Sequence, residues 1–422
     1  MTLFRPEAVD TRGARRRRIR RAVRIQIGAG FVLMGVSGLI WGSFGLFLVA
    51  LQREFGWSRG EISGVFATFA LANALSAPAI AAAMARTNSR HLLALLAILL
   101  GGALVLTAAW VGGLAAYWLI FGLAGGIGAQ CVSSFVVFAL LARRVRHRLA
   151  TAMSIADAGS GLATLLGLPL LQFIIDVQGW RAAYALLAVL TLVVVVALHL
   201  VIFDAIRRSP RPLPAMERGT DFGTPSRAIL WMCASYFCGS AAYHGLLTQQ
   251  VALFDSQGIE PARAVWIVAL SGGAVFAWRL ISGWLCDVIG VSRVLAVAAA
   301  AVLVTFIGLS LLLSGWSVTG TALYPAGLAI GFGGQQVLLA VALRQFAAPA
   351  RFAKNLAYGR LASGLGMAAG PVAGGIIYDV TASSPAVAFV LGGLGLGYVA
   401  GFTLATAEGK RENSLRSEEP AP

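Results

Sequence analysis

Residues 278–290, WRLISGWLCDVIG, place two charges inside an otherwise apolar segment. Arg279 follows fifteen uncharged residues, 264–278, and Asp287 lies eight positions further on. If such a segment crosses a bilayer, a charge near its centre costs about 2.5–3.5 kcal/mol on membrane-insertion scales. A charge is kept there where it meets a polar partner or a water-filled path. The rest of the fold is therefore predicted to surround Arg279 with one or the other.

The composition of the whole chain is that of a membrane protein. Of its 422 residues, 58% are hydrophobic and 12% are charged, whereas a soluble domain has about 25% charged residues. Apolar runs of about 20 residues, the length that crosses a bilayer, recur from Ile25 almost to the C-terminus. The first run, 25–51, is too long for the apolar core of a signal peptide, so we interpret it as a spanning helix. The chain is predicted to be an all-α membrane protein.

The net charge of +16 is concentrated in alternate loops. Basic groups occupy the N-terminal tail and every second loop after it, at residues 12–24, 86–90, 143–148, 207–227, 344–354 and 410–416. This is the positive-inside pattern of multi-pass proteins, and it predicts a plasma (inner) membrane protein with both termini in the cytoplasm. It also makes nucleic-acid binding by the arginine-rich tail an unfavoured alternative.

Twelve transmembrane helices are predicted, six in each half of the chain. The expected spans are 24–51, 60–84, 91–113, 115–142, 151–175, 181–205, 227–253, 263–287, 291–314, 318–345, 353–379 and 384–407. We expect 1–23 to be a basic cytoplasmic tail, 24–205 the N-terminal six-helix bundle, 206–226 a proline-rich cytoplasmic linker, 227–407 the C-terminal six-helix bundle and 408–422 a cytoplasmic tail.

The two halves repeat each other. Residues 122–130, GLAGGIGAQ, match residues 327–335, GLAIGFGGQ, 205 positions later, and Ser160-Gly-Leu matches Ser363-Gly-Leu 203 positions later. An even number of spans in each repeat gives both halves the same orientation, as in a parallel repeat about an axis along the membrane normal. This predicts two pseudo-symmetric bundles.

Several motifs resemble the major facilitator superfamily. The spacing Gly283-x3-Asp287-x2-Gly290 is similar to its cytoplasmic loop signature. Residues 44–63, residues 148–181 and Arg279 with its following Gly and Asp resemble the monocarboxylate transporter and oxalate–formate antiporter branch. The resemblance implies two bundles that rock about a central site, and a substrate carboxylate paired with an eighth-span arginine, the position of Arg279.

The chain also departs from the family pattern. Ala81, Ala85 and Asn88 stand where the first-half loop signature has Gly, Asp and Gly. Gln249 stands where many relatives carry a histidine, and residues 333–335 lack a common acidic pair. These changes leave open whether protons are coupled through those positions.

Arg279 and Asp157 are the two charged candidates for the site. Arg279 lies about 12 Å along its helix from Asp287, and its guanidinium group matches a carboxylate bidentately. The alternative is a structural arginine bonded to neighbouring carbonyl groups. Asp157 is predicted to lie about 13 Å deep in the fifth span. It could pair with Arg279, serve as the proton site, or form a structural salt bridge.

Five uncharged residues are further substrate-binding candidates. Gln130 and Gln335 are related by the repeat, and their amides could bind a substrate from both halves or tie neighbouring helices together. Asn73, Tyr243 and Gln249 are candidates of the same kind.

Four charged residues are predicted to form an inner gate in the outward-facing state: Asp287, Arg293, Arg86 and Arg90. Arg360 lies only a few residues into the eleventh span. It is expected to reach the lipid headgroups in preference to the substrate.

Together these features predict a secondary transporter that moves a small organic anion, a mono- or dicarboxylate, by alternating access with proton symport or anion exchange. The sequence shows no ATP-binding motif, nucleophile–base pair or metal-ligand cluster, so no enzyme activity, cofactor or metal is expected. The expected partners are the anion and the lipid bilayer, and the protein is expected to be monomeric. A drug or amphiphile exporter and a non-transporting membrane sensor of the same fold stay open as alternatives.

Overall fold

The computed structural model describes residues 7–86, 89–142, 149–200, 226–315, 317–346 and 352–418. Within these ranges the chain is helical and contains no β-strand. The predicted linker, 206–226, lies outside the described residues except for its last position. The first helix already begins at Glu7, so residues 7–23 of the predicted basic tail are helical and run directly into the first span.

Twelve helical segments of the described chain, α1–α12, follow one another, one for each predicted span. Their bounds are α1, Glu7–Gly42 continued by Phe44–Phe55; α2, Arg59–Arg86; α3, Ser89–Trp110; α4, a series of pieces from Leu114–Tyr117 to Ser134–Ala142; α5, Leu149–Gln178; α6, Trp180–Val189 continued to residue 200; α7, Arg227–Ser256; α8, Pro261–Ile289; α9, Val291–Leu313; α10, Ser317–Phe332 and Gln335–Phe346; α11, Phe352–Thr381; and α12, Ser384–Glu418.

Nine segments of the described chain are long and apolar enough to cross a membrane, judged by length and composition. The other three are α2, α7 and α10. α10 is divided into pieces of 16 and 12 residues. α7 carries polar side chains in its middle, such as His244 and Gln249, which lower the local hydropathy.

Two glycines set tight turns between spans. Gly56 ends α1 with a φ of +68°, and its N–H bonds to the carbonyl oxygen of Gln52. Gly290 has a φ of +85° and separates α8 from α9 with a single residue. Glycine adopts positive φ without a steric penalty, so both connections stay short and hold their helices side by side.

The helices form two bundles, α1–α6 and α7–α12, which meet along α2 with α11, α5 with α8 and α1 with α7. Small residues bring the backbones close at these seams. A side chain at Gly161 of α5 would lie 2.6 Å from the backbone nitrogen of Phe276 on α8, and one at Gly364 of α11 would lie 2.6 Å from the side chain of Ala74 on α2. We call the face where α1 begins and α12 ends the terminal face, and the opposite one the far face.

Candidate functional site

Arg279 lies on α8 at the seam with α5, and its side chain is only 12% exposed. Its Nε donates to the carbonyl oxygen of Gly333 on α10 at 2.6 Å. Its Nη1 donates to the carbonyl oxygen of Asp157 at 2.8 Å and also to the hydroxyl group of Ser160. The guanidinium group therefore has one partner in its own bundle and two in the opposite bundle.

Asp157 on α5 forms a buried ion pair with Arg279. Its Oδ2 lies 3.2 Å from the arginine Nε, and its side chain is 4% exposed. The charge of Arg360 also acts on this carboxylate. The charges of two arginines therefore act on one carboxylate, and these three side chains together carry a formal surplus of one positive charge. A buried surplus charge is costly unless a further anion joins it.

Arg360 lies beside this pair, which corrects the expectation that it reaches the headgroups. Its Nη1 donates to Oε1 of Gln336 on α10 at 2.5 Å and to the hydroxyl group of Ser134 on α4 at 3.3 Å. The side chain reaches two neighbouring helices, α10 and α4. Their polar groups satisfy the guanidinium group, so it does not need the lipid headgroups as partners. The offset of 203 positions that relates Ser160 to Ser363 also relates Asp157 to Arg360, so the two residues are equivalent in the repeat.

Gln130 and Asn73 tie α4 to α2. The amide of Gln130 donates to the carbonyl oxygen of Asn73, and its Oε1 accepts from Ser133 at 3.0 Å. The amide of Asn73 donates to the carbonyl oxygen of Gly126 at 3.2 Å. Both amides are thus engaged within the N-terminal bundle. This geometry matches the helix-tying alternative, and substrate binding by either residue stays a prediction.

Gln335 and Gln336 point in different directions. The Nε2 of Gln335 is buried, lacks a hydrogen-bond partner among the described residues, and lies near Gly239 and Tyr398 inside the C-terminal bundle. Gln336 is the residue that contacts Arg360. Gln335 was predicted because the repeat aligns it with Gln130. The only sequence signal for Gln336 is that it is the adjacent glutamine.

Tyr243 and Gln249 occupy different parts of α7. Tyr243 is half-buried, and its ring stacks at a centroid distance of 5.8 Å on that of Phe332, the residue before the Arg279 partner Gly333. Gln249 is fully buried, and its amide donates to the hydroxyl group of Ser63 on α2 at 2.9 Å. Gln249 thus joins the two bundles nearer the far face, while Tyr243 belongs to the central group.

The predicted inner gate falls largely outside what the structure describes. The side chains of Asp287, Arg86 and Arg90 are among those not described, and Arg293 is exposed. Their gating role stays a prediction.

The N-terminus of α2 forms a polar closure at the far face. Ser58 and Glu61 cap this helix reciprocally, with bonds of 2.8 and 3.1 Å. The carboxylate of Asp379, at the end of α11, accepts the backbone N–H groups of Arg59 at 3.1 Å and Gly60 at 2.7 Å. A carboxylate is favoured at a helix N-terminus, so this contact holds the two bundles together. No function was predicted for Asp379 from the sequence.

Two arginines add to the far-face closure. Arg53 pairs with Asp255 across the bundles at 2.8 Å. Arg59 is 4% exposed; its Nη2 donates to the carbonyl oxygen of Ala252 at 3.1 Å, and its guanidinium carbon lies 3.4 Å from the ring centre of Tyr378. The described contacts therefore close the far face, and the group around Arg279 lies between this closure and the terminal face.

Comparisons with known proteins agree with this architecture. The model of the family described as the Major Facilitator Superfamily matches residues 30–347. Monocarboxylate transporter 13 of Rattus norvegicus is 25% identical over 313 residues, 70% of this chain and 68% of that protein. Monocarboxylate transporter 11 of Mus musculus is 29% identical over 270 residues, 61% of this chain and 58% of that protein, so the match spans less than two thirds of that relative.

The solved structures extend the comparison to the whole fold. A crystal structure of a mutant of the nucleoside transporter NupG has a TM-score of 0.65 at 12% identity and covers 92% of this chain and 99% of its own. A second structure of NupG has a TM-score of 0.63. At this identity the likeness shows the fold alone. The predicted fold class, twelve transmembrane helices in two bundles, is confirmed.

Proposed function

The chain belongs to the Major Facilitator Superfamily, and from this premise we propose that it transports a small organic anion, a mono- or dicarboxylate, which binds to Arg279. The transporter role itself follows from the family, and the predicted resemblance to monocarboxylate transporters is confirmed by the curated relatives. The nature of the substrate is the proposed part.

The charge balance at the centre of the molecule carries this proposal. Arg279 pairs with Asp157, the charge of Arg360 acts on the same carboxylate, and no second carboxylate among the described residues contacts either arginine. A monocarboxylate would neutralise the surplus positive charge while Asp157 stays ionised. If Asp157 takes up a proton, a dicarboxylate would balance the same group. An organic cation would add to a charge that is already unbalanced, which disfavours a cationic drug as substrate.

Arg279 is suited to bind the carboxylate because its two cross-bundle partners can be exchanged. The backbone carbonyl group of Asp157 and the hydroxyl group of Ser160 accept from Nη1, and the carboxylate of Asp157 lies 3.2 Å from Nε. A substrate carboxylate offers the guanidinium group two acceptor oxygens in a matching plane. The substrate would therefore take the place that Asp157 holds in the empty carrier.

Asp157 connects anion binding to coupling. If a dicarboxylate displaces it from Arg279, its buried carboxylate is more stable protonated than charged. One proton would then be taken up with each anion, as in symport. In anion exchange, by contrast, Asp157 returns to Arg279 each time one anion leaves and the next has not yet bound. Gln130, Gln335, Asn73, Tyr243 and Gln249 remain proposed secondary contacts, of which Tyr243 stacks on Phe332, next to Gly333.

Transport would proceed by rocking of one bundle on the other about this site. With the orientation that the positive-inside pattern predicts, the terminal face is cytoplasmic and the membrane is the plasma (inner) membrane. The far-face closure would then block the outer side, and Asp287, Arg293, Arg86 and Arg90 would tie the inner side after the switch. Both bundles are present in one chain, so a monomer suffices.

Uptake into proteoliposomes tests the proposal. Wild-type protein and the Arg279→Gln variant are compared with radiolabelled acetate, lactate, malonate and succinate, with and without an imposed pH gradient. We expect wild-type uptake of at least one carboxylate and its loss in Arg279→Gln. Arg263→Gln, which removes an exposed arginine from the far end of α8, is the control and should transport normally.

Two outcomes would contradict the proposal. Undiminished carboxylate uptake by Arg279→Gln would exclude this residue as the anion partner. Absence of carboxylate uptake by the wild type, with transport of a lipophilic dye instead, would support the exporter alternative.

A further inference from the structure

The break in α10 lies beside both arginines of the central group, and we propose that it positions them, with Gly333 and Gln336 as the positioning residues. This inference rests on the proposed function, because it concerns how the anion-binding groups are held. It assigns the repeated glycine–glutamine segment a role in placing guanidinium groups, which differs from the direct substrate contact expected of Gln335.

The break supplies one partner to each arginine. The carbonyl oxygen of Gly333 accepts from Nε of Arg279 at 2.6 Å, and Oε1 of Gln336 accepts from Nη1 of Arg360 at 2.5 Å. Gln336 is itself within 3.5 Å of the hydroxyl group of Ser363 on α11. Two acceptors within four residues of chain therefore hold two cations that lie on different helices, α8 and α11.

These two bonds differ from the other bonds of the arginines in one important respect. Gly333, Gln336 and both arginines belong to the C-terminal bundle, so rocking of the bundles leaves their bonds intact. The remaining partners, Asp157, Ser160 and Ser134, belong to the N-terminal bundle and must separate when the bundles move apart. Each guanidinium group thus keeps one anchor in its own bundle through the cycle, while the partners that a substrate would replace lie in the N-terminal bundle. Such preorganisation reduces the entropy lost on binding.

The local sequence explains why α10 breaks here. The helix Ser317–Phe332 closes with the N–H of Gly333 bonded to the carbonyl oxygen of Ala329 at 2.9 Å, and the next piece starts with Val337 and Leu338 bonded to Gly334 at 3.1 and 3.0 Å. A side chain at position 333 would collide with the carbonyl oxygen of Ala329. Glycine permits the turn, and the Gly333 carbonyl group is directed to Arg279.

The equivalent segment of the first half behaves similarly. α4 narrows to a 3-10 turn at Ala129–Val132, and Ser133 is extended, with φ −70° and ψ 149°. The following piece begins at Ser134, whose hydroxyl group is the cross-bundle partner of Arg360. Both repeated segments therefore interrupt their helices beside the arginines. The interruption in α4 provides an exchangeable partner, and the one in α10 provides the fixed ones.

Transport kinetics of three variants test this inference with the carboxylate that the wild type transports best. Gly333→Ala shifts the carbonyl group, and Gln336→Met removes the acceptor for Arg360. Gly393→Ala, on α12, is the control, because a side chain at this exposed position would meet no atom within 4 Å. We expect KM to rise about tenfold in the first two variants, as for loss of a hydrogen bond to a charged group. The maximal rate should stay within about twofold, and Gly393→Ala should match the wild type.

These measurements distinguish failure of the positioning role from failure of the proposed transport function. If wild-type uptake is normal and Arg279→Gln is inactive, but Gly333→Ala and Gln336→Met keep the KM of Gly393→Ala, the positioning role is refuted and the proposed function stands. If Arg279→Gln transports normally, the proposed function fails first. If Gly333→Ala does not fold, judged by its melting temperature, Gln336→Met decides alone.

Discussion

Replacing Asp157 by asparagine should make the carrier bind its anion more tightly while it weakens proton coupling. In the proposed mechanism, the substrate carboxylate competes with the carboxylate of Asp157 for the positive charge of Arg279, because the Asp157 Oδ2 atom lies 3.2 Å from Nε of Arg279 in the empty carrier. The amide group of asparagine has nearly the same shape as the carboxylate but no charge. The Asp157→Asn variant therefore removes the competitor and leaves the binding group in place, still bonded to Gly333 and Ser160.

The size of the effect follows from the geometry of the pair. The Nε–Oδ2 distance is 3.2 Å, and both side chains are nearly buried. Two unit charges about 4 Å apart attract by about 4 kcal/mol at an effective dielectric constant of about 20. The desolvation of both groups offsets much of this attraction. Displacing Asp157 should therefore cost the substrate about 1–3 kcal/mol, so its removal should raise the affinity roughly 5- to 150-fold.

Calorimetric titration of the detergent-solubilised protein with the transported carboxylate measures this change. The apparent Kd should fall within the range given above for Asp157→Asn. The melting temperature without ligand should decrease, because an uncompensated guanidinium charge remains buried, and the anion should restore it. Uptake into proteoliposomes should no longer respond to an imposed pH gradient if Asp157 carries the proton.

Asp176→Asn is the matched control for this measurement. It removes the same charge from the same helix, but Asp176 is exposed and bonded to Gln172 near the far face. Its Kd and pH response should equal those of the wild type. An affinity of Asp157→Asn equal to or weaker than that of the wild type would refute the idea that this carboxylate competes with the substrate.

Three further variants test other parts of the structure. Arg279→Lys keeps the charge but cannot donate to α10 and to the substrate through one planar group, so uptake should fall at least about tenfold in the proteoliposome assay. Asp379→Asn should weaken the far-face closure by about 1 kcal/mol and raise labelling of a Ser63→Cys background by an impermeant maleimide roughly fivefold. Asp176→Asn should leave that labelling unchanged, and equal labelling of both variants would contradict the capping role. Arg53→Ala breaks an exposed pair, whose side chains are 62% and 34% exposed, worth about 0.5 kcal/mol, so labelling should change by about twofold or less.

The central group shows where reasoning from the sequence succeeds and where it stops. Arg279 was recognisable because a charge in a long apolar segment is costly, whatever surrounds it. Its depth in the helix and that of Asp157 followed from the rise of 1.5 Å per residue. Their pairing was one of several alternatives, because α5 and α8 are separated by more than eighty residues of chain and no local rule relates their side chains.

The glutamines of α10 show a second limit. The repeat pointed to Gln335, but the break at Gly333 and Gly334 resets the direction of the following residues. Neighbouring positions on a helix differ by about 100°, so a change of one residue moves an amide from the bundle interior to Arg360. The repeat could have indicated a role for Arg360, because its offset relates Arg360 to Asp157 and therefore predicts that both lie at a similar depth in the membrane.

Hydropathy was sufficient to predict the all-α membrane class and the twelve spans, the matching segments predicted the twofold repeat, and the motifs predicted the family resemblance. The class and the spans can be read along one chain because the bilayer imposes them on each helix separately. The packed structure was needed to show that Arg360 joins Arg279, that Gln336 faces the centre, and that Asp379 closes the far face. These contacts depend on helix rotation, on helix breaks and on packing between distant segments, and none of these is encoded by residue spacing within a single span.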